Sequence, residues 1–468
     1  MIQSKISNTL YEFIKTVRDN FTDFKSFADK EVLNRNELYT KTTGEIQKYD
    51  KGVKSMSWSS EYFIKDDTFW LDSKKYFERL NKQFPILSEC LTEIKNEFQL
   101  TDNQSESNFI SLLHFLLFKN ETKLTEGRIA EIVTVFVNDL NKVAPLWKIK
   151  LWVDGIWLND DLVNVSNDFI IRKPQNSDFE LTQRAHFLVP RFASPNIDSC
   201  ASIIEISKKF DDQNKLDEYL NKVIQALRLY NLGAIQIKRR EYIPNSILIF
   251  FGMPFSLDDH SHFDYEIKQS ESDRLKPFID FMLEYLPERN WQSKNHELNP
   301  IYIGIDRYCE AITKSLTVEN KITTTITALE ALLLKGNERS ELSHKLSQRV
   351  AYISRYFKDP PIKVYNTMKR AYEIRSTYIH GSMLPPQERK DLTDVQNQVL
   401  SALRRTLLIF IELSKNINKD DIISKIDNAV IDSNAHTKFS PDISNLTLLK
   451  LTAHNTGFLQ MDGQSNVA

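Results

Sequence analysis

Between Ile322 and Leu413 the apolar residues recur every three or four positions, and two proline pairs punctuate the run. This spacing sets Ile322, Ile326, Leu329 and Leu333 on one helical stripe and Leu342, Leu346, Val350, Ile353 and Phe357 on a second. Pro360-Pro361 stops one helix and starts the next, where Val364, Met368, Ala371 and Tyr372 continue the pattern to Gly381. Pro385-Pro386 then opens a last long segment through Val395, Val399, Ala402, Leu403, Phe410 and Leu413. With a helix near Ile301 to Thr313, this predicts an antiparallel bundle of about five helices.

The preceding chain reads differently. Residues 1–140 carry helical stripes, such as Leu10, Phe13, Ile14 and Val17, then Phe109, Leu112, Leu113 and Leu116, with polar loops expected over Tyr39 to Ser60 and Thr101 to Ser107. From Trp147 the period becomes two. Trp147, Ile149 and Leu151 alternate with lysines before the Asp154-Gly155 turn signal and Ile156 to Leu158, which predicts a hairpin. Further strands are expected at Leu162 to Val165, Phe169 to Arg172, Ala234 to Lys238 and Ser246 to Gly252, around a helix faced by Leu216, Leu220, Val223, Ile224 and Leu227. The expected class is α+β, predominantly helical. Its units are a helical region over 1–140, a mixed domain over 141–268, a helical bundle over 269–430 with one short helix beyond Asp420, and a loose tail over 431–468.

A chain of 468 residues predicts more than one core. The first ten residues resemble no secretory leader, and no apolar run reaches the ~20 residues that span a bilayer, so a cytoplasmic, membrane-free protein is expected. Three scattered cysteines offer neither a disulfide framework nor a CxxC metal pair. No GxxxxGK[ST] occurs among only 11 glycines, which argues against an NTPase. The formal net charge is −2, yet Lys335 to Lys415 holds fifteen Lys and Arg against eight Asp and Glu, enough to hold phosphates.

The segment Tyr372-Glu373-Ile374-Arg375-Ser376-Thr377-Tyr378-Ile379-His380-Gly381 resembles the HEPN signature, an Arg followed after four to six residues by a His. The stretches Thr327 to Leu334 and Glu341 to Ala351 look like the ApeA-like branch of that family. The spacing also occurs at Arg289 to His296 and at Arg339 to His344, and roughly one match is expected by chance, so context decides. The first lies in an expected linker. The second opens a helix whose Leu342 and Leu346 already define a core face. Only the third ends a helix, at Gly381, and there the stripe through Val364, Met368 and Ala371 predicts an apolar residue where Arg375 stands.

The resemblance implies a metal-independent endoribonuclease with no cofactor. One His380 would take the proton of an RNA 2′-hydroxyl attacking the adjacent phosphorus, and a second His380 would protonate the leaving 5′-oxygen. Arg375 would stabilise the phosphorane charge. Five helical residues turn ~140° and rise ~7.5 Å, so Arg375 and His380 of one chain point apart and a homodimer is part of the expectation. Ser376 and Tyr378 are expected to position the phosphate, with Glu330, His344 and Arg349 as a supporting polar network. The resemblance further implies a defence effector against phage, switched on by a phage-derived trigger and cutting host or viral RNA. Two other readings stand beside it: a non-catalytic HEPN dimer serving as sensor or scaffold, and a metal-dependent hydrolase at Asp258 to Asp264, whose His260 and His262 alternate as on a strand.

Overall fold

The computed structural model describes residues 2–70, 73–119, 123–184, 200–249, 264–287, 299–314, 316–382, 384–385 and 389–452. The fold is α+β and predominantly helical, as the patterning predicts.

The N-terminal part contains α1 (Ile2–Asp19), α2 (Phe21–Glu31), strands β1 (Val32–Tyr49) and β2 (Val53–Trp70), then α3 (Ser73–Gln83), α4 (Ile86–Glu97), α5 (Asp102–His114) and α6 (Glu126–Leu140). The predicted stripes of α1 and α5 meet in a core of their own, with Phe13 and Phe109 at 4.7 Å between ring centroids. Two expected loops are corrected. Thr101 to Ser107 begins α5, because Thr101 accepts from the Gln104 N–H while the Gln104 side chain accepts from the Thr101 N–H, a reciprocal cap that polar composition disguises. Tyr39 to Ser60 lies in the long antiparallel β1–β2 hairpin, which turns at Lys51 (φ 50°) and Gly52 (φ 102°).

The middle part contains β3 (Leu146–Asp154), β4 (Ile156–Leu158), β5 (Leu162–Ser166), β6 (Phe169–Arg172), β7 (Glu180–Arg184), β8 (Ser202–Lys209), α7 (Gln213–Tyr230), β9 (Gln236–Pro244) and β10 (Tyr265–Ile267). An antiparallel sheet runs in the order β5-β6-β8-β3-β9, while β7 pairs with β1 and so ties the hairpin to this region. The predicted β3–β4 hairpin does not form. Gly155 (φ 85°) turns the chain against the backbone of Ala234, and β4 leaves to pair in parallel with β10, Ile156 opposite Tyr265. The described part of the strand expected from Ser246, residues 246–249, is not a strand, and 250–252 lie outside the described residues.

Nine helices and one short helical turn follow among the described residues: α8 (Ser272–Tyr285), α9 (Pro300–Thr313), α10 (Val318–Leu333), α11 (Leu342–Ser354) continued by a 3-10 turn at Arg355–Phe357, α12 (Pro361–Ile379), α13 (Leu392–Leu413), α14 (Lys419–Ile431), α15 (Ser433–Ser444) and α16 (Thr447–Leu451). Pro361 opens α12 as expected, whereas α13 begins at Leu392 instead of at Pro385-Pro386. The expected loose tail is corrected over 433–451. Asp432 caps α15 by accepting from the N–H groups of Asn434 and Ala435, and Glu412 accepts from those of Thr447 and Leu448 at the start of α16. Phe439, Ile443, Leu448 and Leu449 are buried there, so four apolar residues anchor a polar segment.

The middle sheet and the C-terminal helices share one apolar cluster. Their joint is polar as well as apolar. The last four carbonyls of α7 have no acceptor role inside the helix, and side chains from beyond it satisfy all four. The Tyr265 hydroxyl donates to Leu227 O, the Tyr308 hydroxyl to Arg228 O, and the buried Arg404 guanidinium of α13 to both Leu229 O and Tyr230 O. Burial pushes Arg404 down to about 10, while the negative end of α7 favours its charged form.

Candidate functional site

The helix α12 carries both residues singled out by the motif. It packs on α10, α11 and α13 through Val364, Met368, Ala371 and Ile374, all fully buried. The stripe therefore passes through Ile374, and Arg375 borders the core instead of interrupting it; steps of three and of four residues both return to one helix face. The Arg375 side chain is 26% exposed. Its Nη2 donates to Glu330 Oε2 of α10 at 3.3 Å, and its guanidinium lies 5.5 Å from the centroid of the Tyr372 ring, one turn earlier. Arg375 Nε is buried and has no hydrogen-bond partner among the described residues.

Tyr372 completes this cluster and was not singled out by the sequence, although its position three residues before Arg375 was the available signal. Burial and the neighbouring Glu330 carboxylate push the Tyr372 phenol up. Glu330 therefore faces a guanidinium and a phenol together.

His380 is the residue at which α12 ends. Its backbone N–H is directed to Ser376 O and Tyr378 O, and Gly381 (φ 71°) follows with its N–H on Tyr378 O. That termination turns the His380 side chain into an exposed position. Tyr378 and Ile379 beside it are also exposed, by 39% and 52%, and Ser376 is half-buried. The end of α12 thus presents an imidazole, a phenol and an aliphatic side chain to solvent, with the Arg375 guanidinium five residues before the imidazole.

The supporting residues divide. Glu330 joins Arg375. His344 instead lies on the exposed face of α11, its Nδ1 2.8 Å from the Tyr365 hydroxyl of α12. Arg349, expected in the same supporting polar network, is bound into a network of its own. Arg349 is buried and fully committed, bidentate to Glu338, bidentate to Asp427 of α14, and donating to Leu333 O at the end of α10. Its hydrogen bonds hold the Glu338 carboxyl down at about 2. A guanidinium with every donor engaged has none left for phosphate, so Arg349 clamps α10, α11 and α14 together.

Of the competing Arg-to-His spacings, Arg289 to His296 lies outside the described residues, and Arg339 is held by carbonyls of Gly336 and Glu338 ahead of α11. The Asp258 to His262 run also lies outside them, and Asp264 is exposed. Among the described residues no group of three or more His, Cys, Asp and Glu side chains is placed to hold a metal, and no helix is long and apolar enough to cross a membrane. The chain matches no protein-family model, no curated protein and no solved structure.

Proposed function

We propose that this chain is a metal-independent endoribonuclease of the HEPN type, acting as a homodimer in which the α12 ends of two copies meet around one phosphodiester. The observation that carries this reading is the end of α12: His380 stands in solvent at the helix terminus, and the half-buried Arg375 behind it keeps one guanidinium nitrogen without a partner among the described residues. A non-bridging phosphate oxygen takes the part of that guanidinium left open to solvent in charge-assisted hydrogen bonds. The two His380 side chains act as base on the 2′-hydroxyl and acid on the 5′-oxygen; Arg375 stabilises the charge that develops between them. Tyr378 and Ser376 flank the same helix end and position the phosphate.

The same reading makes the protein a defence effector whose N-terminal and middle parts respond to a phage-derived trigger. The Glu330 carboxylate on Arg375 favours a second reading, a non-catalytic dimeric scaffold, because a neutralised guanidinium holds phosphate less well. Incubation of RNA with the purified protein in excess chelator separates the two. The enzyme leaves 2′,3′-cyclic phosphate ends, and a 2′-deoxy substitution at the scissile position stops it; the scaffold leaves RNA intact.

A further inference from the structure

A cavity of about 740 Å³ opens between the start of α8, the turn after α11, and α15 with α16, and neither Arg375 nor His380 lines it. This volume lies in the ~300–1,000 Å³ range of small-molecule sites. Its wall is cationic: Arg274, Arg355, Lys358 and Lys450 converge on it, with Tyr356 and His436 between them. No carboxylate lines it among the described residues. Arg274 alone of the four has a carboxylate neighbour there, Glu271 at 3.8 Å, while Arg355, Lys358 and Lys450 make no ion pair with another described residue. Four cations around one hollow repel one another, and that repulsion is relieved by an anion of matching size.

The wall is also built to last. Tyr352 is buried beneath it and lies 3.0 Å from both the Tyr356 hydroxyl and His436 Nδ1, which fixes the aromatic side of the cavity. The Arg355 guanidinium sits 5.5 Å from the centroid of the Tyr352 ring. Lys358 projects from a left-handed residue (φ 61°) in the link to α12, while Asp359 beside it is buried on Arg405 of α13. Ser440 and Ser444 add hydroxyls along one face of α15.

We propose that this cavity binds a small phosphate-bearing anion of nucleotide size, its phosphates held by the four cations and its apolar portion laid against Tyr356 and Leu449. The site is independent of the ribonuclease reading. Calorimetric titration of the full chain at about 0.15 M salt with ATP, pyrophosphate and adenosine tests it. ATP and pyrophosphate bind saturably, adenosine does not, and the affinity for ATP falls as salt rises. The double variant Lys358→Asn with Lys450→Glu weakens ATP by about tenfold or more, Asn being tolerated in the left-handed conformation. Arg274→Gln, on a different helix, gives a smaller loss in the same direction, and Lys25→Glu on the exposed side of α2 gives none. Absence of saturable binding up to about millimolar ATP, equal affinity for adenosine, or indifference to both cavity variants would overturn the proposal. Tighter binding of a single-stranded RNA than of ATP at the same residues would overturn it too, by making the hollow part of a nucleic-acid track.

Discussion

Glu330 holds Arg375 at 3.3 Å in a half-buried pair, and such pairs are worth only ~0–1 kcal/mol once solvent screening is counted. Incoming phosphate must compete with that carboxylate. Glu330→Gln therefore tightens RNA binding by up to about fivefold in fluorescence anisotropy; a weakening would mean that the carboxylate aims Arg375 instead of competing for it. Arg349 predicts a different behaviour. Because Glu338 is held at about 2 instead of its ordinary 4.5, its contribution is fully present above pH 4.5 and is lost as the pH falls through about 2. The stability advantage of the wild type over Glu338→Gln, on the order of 3 kcal/mol at neutral pH, shrinks across that window in urea titrations; a constant difference would contradict the clamp. That Arg375 lies on a helix which ends at His380 was legible from the local pattern closing on Gly381. The role of Arg349 was not, because its partner Asp427 lies 78 residues away and no local pattern announces it.

At the scale of elements, the helices of the C-terminal half were readable because each buries a one-sided stripe, and Val364, Met368 and Ala371 are buried as their spacing demands. Three elements were not. The β1–β2 hairpin is polar in alternation, so only Gly52 marked it. The strand β8 carries Ile203, Ile204 and Ile206, a short apolar run that periodicity alone does not assign, and it lies at the centre of the sheet. The helix α16 depends on Glu412, which is distant in sequence. Two expectations follow from contacts within elements. A Cβ at Gly155 would stand 2.6 Å from Ala234 O in a backbone conformation unsuited to side chains, so Gly155→Ala lowers stability by about 2 kcal/mol or more in denaturant melts. Arg404→Met strands the Leu229 and Tyr230 carbonyls at the end of α7 and costs about 2–4 kcal/mol by the same measurement. A neutral Arg404→Met would show that water replaces the guanidinium.

In the whole molecule, one apolar cluster runs from Trp147 to Leu449, while the N-terminal helices keep a separate core. Packed side chains and the caps on α7 join the middle sheet to the helical bundle in which α12 carries Arg375 and His380. The proposed activity asks more of the molecule than one chain provides, since Arg375 and His380 are separated by most of a helical turn and a half. Light scattering should give twice the 54.7 kDa chain mass, and Ile379→Glu, beside His380 and 52% exposed, should shift the protein towards monomer with loss of cleavage. The central claim, that the imidazole at the end of α12 transfers the protons of RNA cleavage, is tested most directly by metal-free cleavage rates of wild type, His380→Ala and His344→Ala. We expect cyclic-phosphate products from wild type, a drop of roughly 10²–10⁴-fold for His380→Ala with an unchanged melting temperature, and near-normal cleavage by His344→Ala. Undiminished cleavage by His380→Ala, or loss confined to His344→Ala, would contradict it.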